Sequence, residues 1–178
     1  MNILVTAFTP FGGMEKNMSS MVLDCLPDEI GYMRLHKLLI PTSYERAFGE
    51  LQHYLDENQV DAVVLTGQAA RKKMTVERIA INIGDEKLAD NDGVVYTDRV
   101  LVPDGPAAYF STLPIKAMCA AADCAVSNSA GTYACNCVMY KAIHYLSGSD
   151  IPCGFIHIPK SGSAEKWAEE LVKMLMVL

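Results

Sequence analysis

The feature that most constrains the fold is the alternation of short, continuously apolar segments with segments of helical periodicity. Continuous apolar runs are typical of strands covered on both faces, and amphipathic helices supply that cover. The pattern predicts an α/β fold, namely a three-layer α/β/α sandwich around a mostly parallel twisted sheet. A chain of 178 residues is expected to form one domain, 1–178. The expected strands are 2–8, 32–40, 61–67, 74–82, 124–128 and 153–158.

Helices are expected in the intervals between these strands. Ser19 or Ser20 is the expected cap of the first, and Ser163 of the last. The turn sequence "DNDG" predicts a hairpin arm at 90–93. The first expected helix ends near residue 26. The others cover 43–59, 106–122 with an interruption near Pro114, 136–147 and 164–177.

Composition and charge limit the function classes. The formal net charge of −6 repels phosphate backbones, so we expect no nucleic-acid partner and interpret the basic run 71–73 as a solvated loop. No signal-peptide core and no apolar stretch of about 18–20 residues is present, which predicts a cytoplasmic protein with no membrane partner. The six cysteines form no C-x-x-C pair and none is spaced from a histidine as in a zinc finger, so we expect no metal and no cofactor.

Ligand sites of open α/β sheets lie beyond the carboxyl ends of the strands, so the strand exits are the segments to inspect. After the strand at 124–128, the turn "SNSAGT" precedes an apolar helical run. This puts Cys135 at the start of a helix, where unpaired N–H groups and the helix dipole favour a thiolate and can receive an oxyanion. Cys135 is therefore the candidate nucleophile, and Cys137 is expected to be a packing residue.

The base for such a thiol is sought among four histidines. His144 is nine residues from Cys135, roughly 13 Å along a helix at about 1.5 Å per residue, which is too far for a nucleophile–base pair. His36 and His53 are interpreted as structural residues of a strand and a helix. His157 differs, because it ends an apolar strand just before Pro159, where an imidazole at the sheet edge would lie.

Glu77 lies on an apolar strand face, where a carboxylate has to be paired or functional. Two interpretations remain open from the residues alone: a salt bridge to Arg71 or Arg78, or the group that orients an imidazole. Phe8 and Phe11 flank the turn at the first strand exit, and they could pack at the rim or enclose a small, flat, uncharged ring.

Several blocks together resemble one family, pyroglutamyl-peptidase I, a family of cysteine peptidases. In order they are "ILVTAFTPFGG", "GQAA", "MTVERIAIN", "PDGPAAYFSTLPIKAM", "VSNSAGTYACN" and "GFIHIP". The resemblance runs from residue 1 to about 160. It implies an α/β/α sandwich, a cytosolic homo-oligomer (a dimer or tetramer) without metal, and peptides with an N-terminal pyroglutamate as substrates.

The resemblance also implies roles for individual residues. Cys135 would be the nucleophile, His157 the general base and acid, and Glu77 the orienting carboxylate. The pyroglutamate ring would be held by Phe8, Phe11, Thr42, Gln68, Leu88, Tyr133 and Ala134. The chain departs from the family pattern at Ala7, Thr9, Lys87, Ala89, Ala134 and Cys137, and its loop "ARKK" and the segment after Pro159 are shorter than usual.

Two other functions are compatible with these residues. One is a non-catalytic or weakly active lactam-binding homologue that keeps the pocket, and the other is a cysteine amidohydrolase acting on another cyclic amide. The first predicts a thiol at Cys135 that alkylates slowly near neutral pH, because no activated thiolate would be present. Only a panel of substrates separates the second from a pyroglutamyl peptidase.

Overall fold

The computed structural model describes all 178 residues. The helices are α1 (Met18–Cys25), α2 (Arg46–Glu57), α3 (Ile115–Ala121), α4 (Ala134–Tyr145) and α5 (Ala164–Leu175). The strands are β1 (Asn2–Phe8), β2 (Glu29–Ile30), β3 (Met33–Ile40), β4 (Ala62–Ala69), β5 (Met74–Glu77), β6 (Ile79–Ile81), β7 (Ile83–Gly84), β8 (Arg99–Val100), β9 (Ala108–Phe110), β10 (Cys124–Ser127) and β11 (Cys153–Pro159).

Seven strands form the main sheet, in the order β10-β5-β11-β4-β1-β3-β2. Four of the six pairings are parallel, and β11 with β5 and β2 with β3 are antiparallel. The predicted mostly parallel sheet is therefore confirmed. The antiparallel pair matters for function, because it brings β5 alongside β11 near their polar ends.

Helices cover both faces of this sheet, as the continuous apolar strands require. In β11 the side chains of Ile156 and Ile158 belong to the core beneath α1, α3 and α5. Phe155 belongs to the opposite core, beneath α2 and α4. Because successive strand residues alternate between faces, His157 shares the face of Phe155 and points toward the α4 layer.

Some expected elements differ from those in the structure. The segment 74–82 is not one strand, because the chain leaves the main sheet at Arg78 and β6 pairs with β9 instead. The helix expected over 106–122 covers only α3, since the residues before Pro114 contain β9. Asn17 rather than a serine caps α1, accepting a hydrogen bond from Ser19 N at 3.0 Å.

Other local expectations are confirmed. The Ser163 hydroxyl caps α5 by accepting from Lys166 N at 3.2 Å. The "DNDG" turn lies between β7 and β8, which pair antiparallel, and Asp90 Oδ1 holds the turn by accepting from the backbone N–H groups of Asp92 and Val94. None of the helices combines the length and the apolar character that a membrane span needs.

Candidate active site

Cys135 lies in the first turn of α4, with Tyr133 as the N-cap residue. No side chain caps this helix end, so the N–H groups of its first turn remain available as donors. The thiol packs against the middle of the sheet: a Cβ atom on Gly67 of β4 would lie only 3.1 Å from Cys135 Sγ. A glycine in the strand thus makes room for the sulfur.

The ladder between β4 and β11 puts an imidazole beside this thiol. His157 is the register partner of Gly67 in the parallel pairing. Paired residues of neighbouring strands point to the same face, and neighbouring strands lie about 4.8 Å apart. The His157 ring therefore lies on the face where Cys135 Sγ contacts Gly67, one strand away.

Glu77 completes the group from the other side of β11. Its register partner across the antiparallel pairing is Phe155, two residues from His157 on the same face. Glu77 Oε1 lies 2.8 Å from His157 Nδ1, and both side chains are buried. Thr75 donates its hydroxyl to the same oxygen at 3.1 Å.

This contact determines which imidazole nitrogen can act as a base. An ionised carboxylate only accepts hydrogen bonds, so the proton assigned to Nδ1 is the one shared with Glu77. Nε2 is then the unprotonated nitrogen of the neutral ring. A carboxylate, an imidazole and a thiol are the three kinds of group that a cysteine-type catalytic triad uses.

The Cys135 thiol is not activated by the helix terminus alone. Burial raises the pKa of Cys135 to about 12, and the negative charge of Glu77 adds to the rise. A hydrogen bond from its own backbone N–H acts in the opposite direction but is the smaller effect. The expectation that the helix start lowers this pKa toward neutrality is therefore wrong, and a thiolate here requires transfer of the proton to a neighbouring base.

The remaining candidates from the sequence have structural roles. Cys137 is buried, burial raises its pKa to about 11, and its thiol donates to the carbonyl of Tyr44 at 3.4 Å. The His144 ring nitrogen Nδ1 lies 2.8 Å from the Tyr109 hydroxyl. His36 contacts the Tyr54 hydroxyl at 2.7 Å. These contacts agree with the interpretation of all three as packing residues.

The structure brings two of the aromatic candidates together beside the thiol. The ring centroids of Phe11 and Tyr133 lie 5.9 Å apart, and Tyr133 is next but one to Cys135. Phe8 is almost fully buried, and its ring centroid lies 6.4 Å from that of Phe155. An apolar, partly aromatic surface therefore borders the reactive group.

The other residues expected to hold the ring have their own contacts in the structure. Thr42 donates its hydroxyl to the carbonyl of Thr9 at 2.8 Å, which fixes the loop after β3 against the first strand exit. The Gln68 side chain accepts from Met18 N at 2.8 Å and its Nε2 lies 3.4 Å from Met14 Sδ, so both ends of its amide have partners. Leu88 is largely exposed near Gly12, whereas Ala134 is buried.

Arg71 was named from the sequence only as a possible salt-bridge partner of Glu77, and the structure places it beside the Glu77–His157 pair. The basic loop was expected to be solvated, yet the Arg71 guanidinium lies 3.2 Å from Glu77 Oε1. The salt bridge to Arg71 is therefore confirmed, and the same carboxylate oxygen also contacts His157. Gly67 was missed, although a glycine inside a strand signals a close approach of another group.

An open α/β sheet that lines up a thiol, an imidazole and a carboxylate near the carboxyl ends of its strands is the arrangement of an α/β cysteine hydrolase. The chain belongs to the pyroglutamyl peptidase family, because the model of that family matches residues 1–167. No group of three or more His, Cys, Asp or Glu side chains is arranged to hold a metal ion.

Known proteins similar to this chain agree with that assignment. The pyrrolidone-carboxylate peptidase of Thermococcus onnurineus is 42% identical over 167 residues, covering 89% of this chain and 84% of the relative. The pyrrolidone-carboxylate peptidase 1 of Caldanaerobacter subterraneus is 44% identical over 167 residues, covering 89% and 82%. The solved pyrrolidone carboxyl peptidase of Thermococcus litoralis superposes with a TM-score of 0.93 at 33% identity, covering 99% of this chain and 92% of the other.

Proposed function

We propose that this chain is a cysteine peptidase that removes an N-terminal pyroglutamate (5-oxoproline) from peptides. The observation that carries the proposal is the buried Glu77–His157 hydrogen bond of 2.8 Å on the face where Cys135 lies against Gly67. Membership of the pyroglutamyl peptidase family supplies the substrate class.

The reaction begins with proton transfer from Cys135 Sγ to Nε2 of His157. The sulfur attacks the carbonyl that joins pyroglutamate to the next residue, and N–H groups at the start of α4 stabilise the oxyanion. The C–N bond then breaks while the imidazolium gives its proton to the leaving amine. His157 next deprotonates a water molecule, which hydrolyses the thioester and releases 5-oxoproline and the free thiol.

Glu77 assists these reaction steps by holding the imidazole of His157 in place and by stabilising the imidazolium. The proton transfer is also the way in which a thiol with a pKa of about 12 becomes reactive near neutral pH. Forming the imidazolium beside the sulfur replaces a lone buried thiolate by an ion pair, which is far less costly.

Selectivity for pyroglutamate follows from an apolar pocket with few polar partners. A lactam ring is flat, carries no charge and has no free amine, so aromatic walls and backbone amides satisfy it. A glutamate residue would have to bury an ammonium and a carboxylate without partners, which disfavours it strongly. The residues proposed to form this pocket are Phe8, Phe11, Thr42, Gln68, Leu88, Tyr133 and Ala134.

A panel of chromogenic amides tests the proposal. We expect release from the pyroglutamyl amide and no measurable release from the matched prolyl and glutamyl amides. A Cys135→Ala variant should be inactive with an unchanged circular dichroism spectrum, whereas Cys137→Ala should retain activity. Equal rates on all three amides would contradict the specificity, and an active Cys135→Ala enzyme would contradict the mechanism.

We also propose that the protein works as a homo-oligomer in the cytoplasm. Several large apolar side chains are exposed on the isolated chain, which an assembly would cover: Tyr32, Val95, Val100, Phe110 and Met176. All six cysteines are free, which suits a reducing compartment. Light scattering coupled to size-exclusion chromatography should give a mass at least twice that of the 19.5 kDa chain.

A further inference from the structure

Arg71 contacts two parts of the site: the Glu77 carboxylate at the end of β5 and the segment after β10 that leads to Cys135. The residue belongs to the loop between β4 and β5. One nitrogen of its guanidinium, Nη2, lies 3.2 Å from Glu77 Oε1 and 3.5 Å from the carbonyl oxygen of Ser129. Ser129 belongs to the segment that runs from β10 to the start of α4, and therefore to Cys135.

The Glu77 carboxylate depends on few partners. Its side chain has no exposed surface, and Oε2 has no hydrogen-bond partner. All of its contacts are made at Oε1, by Thr75, His157 and Arg71. Among these groups only Arg71 carries a permanent positive charge, because the hydroxyl is neutral and the imidazole is neutral before it takes a proton.

Arg71 also bears on the nucleophile through charge. The Glu77 carboxylate makes ionisation of the Cys135 thiol harder, since the two negative charges repel. The other ionisable groups that face this thiol are His157 on β11 and the Tyr133 hydroxyl on its own helix. The Arg71 guanidinium, 3.2 Å from the carboxylate, places a positive charge next to the negative charge that opposes ionisation of the thiol.

We propose that Arg71 is a positioning residue of the peptidase, which holds the Glu77 carboxylate toward His157 and ties it to the loop that leads to Cys135. This inference rests on the proposed function for its catalytic consequence. The geometry also explains why one residue of the basic run is only partly exposed while Lys72 and Lys73 are exposed.

Three variants separate this role from a general effect of charge in the loop. Arg71→Gln removes the charge and the guanidinium. Arg71→Lys keeps the charge on a side chain that is one bond shorter, so its ammonium reaches the two acceptors less well than Nη2 does. Lys72→Gln is the matched control, because it removes one positive charge from the neighbouring exposed position.

For Arg71→Gln we expect kcat on the pyroglutamyl amide to fall by about 10- to 100-fold, as for other losses of catalytic alignment, with KM changed less than about twofold. We expect Arg71→Lys to recover part of kcat, and Lys72→Gln to match the parent protein. In the background of Glu77→Gln, the same Arg71→Gln change should cost nothing further, because Arg71 acts through the carboxylate.

The rate of iodoacetamide labelling at Cys135, followed by peptide mass spectrometry at pH 7, is a second measurement that needs no substrate. It should fall about tenfold in Arg71→Gln, the change that one unit of thiolate pKa produces, and stay unchanged in Lys72→Gln. If the parent protein labels rapidly but cleaves none of the amides, the proposed function fails while this measurement still tests Arg71.

Three results would overturn the inference: parent-like kcat and labelling in Arg71→Gln, a loss confined to KM, or an equal loss in the Glu77→Gln background. If Arg71→Gln alone fails to fold, the comparison moves to Arg71→Lys and to the double variant with Glu77→Gln. Removing both members of a buried pair leaves no uncompensated charge. Slower labelling in Arg71→Lys than in the parent, together with equal labelling in Glu77→Gln and the double variant, then supports the role. Parent-like labelling in Arg71→Lys, or a difference between the last two, contradicts it.

Discussion

Replacing Gly67 by alanine should disable the site while leaving the fold intact. The added Cβ would lie 3.1 Å from Cys135 Sγ and 2.8 Å from Cζ of Phe155. Ordinary contacts between such atoms are about 3.5–4.0 Å. The sulfur and the ring must therefore each move by roughly 0.5–1 Å, and both moves disturb the face that carries His157.

The magnitudes follow from these displacements. A misplacement of about 1 Å costs on the order of 100-fold in rate, so kcat on the pyroglutamyl amide should fall by about that factor. Overpacking a core costs about 1–3 kcal/mol, and replacing a strand glycine returns about 0.5–1 kcal/mol of backbone entropy. A net loss of about 1 kcal/mol corresponds to a fall in Tm of about 2–4 °C for a chain of this size.

The assay is steady-state hydrolysis together with thermal unfolding, with Gly49→Ala as the control. Gly49 lies inside α2, and an added Cβ there meets nothing within 4 Å. That variant should gain up to about 1 kcal/mol of helix stability and keep full activity. A Gly67→Ala enzyme with more than half of the parental kcat would refute the reasoning that Cys135 lies against β4 beside His157.

Three further predictions concern stability. Asn136 Oδ1 accepts from Ile81 N, and its Nδ2 donates to the carbonyls of Ile81 and Ile83, each at 2.9 Å. Asn136→Leu should therefore lower the free energy of unfolding in urea by about 3–5 kcal/mol. A loss below about 1 kcal/mol would contradict this. The Tyr44 hydroxyl is buried without a partner, and Tyr44→Phe should leave the free energy of unfolding unchanged or raise it by up to about 1 kcal/mol; a clear decrease would contradict this. Burial raises the pKa of Cys137 from 9.0 to about 11 and that of Cys153 from 9.0 to about 12. As the pH rises, the unfolded chain therefore loses these two protons before the folded chain does. The free energy of unfolding should fall above pH 9, by up to about 1.4 kcal/mol per pH unit for each thiol. Urea titrations from pH 8 to about 11 check this last prediction, and Cys153→Ala should reduce the slope.

Strands and helices with a strong apolar pattern could be predicted from the sequence, because burial on both faces leaves a clear signal. The segment 74–82 could not, since β5 and β6 have similar composition and only the pairing of β6 with β9 separates them. Tyr109 and Phe110 read as part of a helix, but in the structure they belong to that same small sheet. Long-range pairing decided both cases.

The site was predictable in its groups but not in its electrostatics. Cys135 and His157 were candidates because both lie at strand exits, and the structure places both on the same face of the sheet. The raised pKa of Cys135 depends on the burial of the thiol between α4 and Gly67 and on the proximity of Glu77. Sequence spacing reports neither of these. The sequence offered Arg71 as a partner of Glu77, but its contact with the loop before Cys135 joins different strand exits, which sequence spacing does not report.

The most direct test of the central claim is affinity labelling with the chloromethyl ketone of pyroglutamate, which presents the lactam ring to the pocket and an alkylating carbon to the nucleophile. We predict one label per chain, located by peptide mass spectrometry on Cys135, with loss of activity in proportion and protection by a pyroglutamyl peptide. The chloromethyl ketone of proline should label far more slowly. Labelling of Cys137 instead, or inactivation that leaves Cys135 unmodified, would contradict the account.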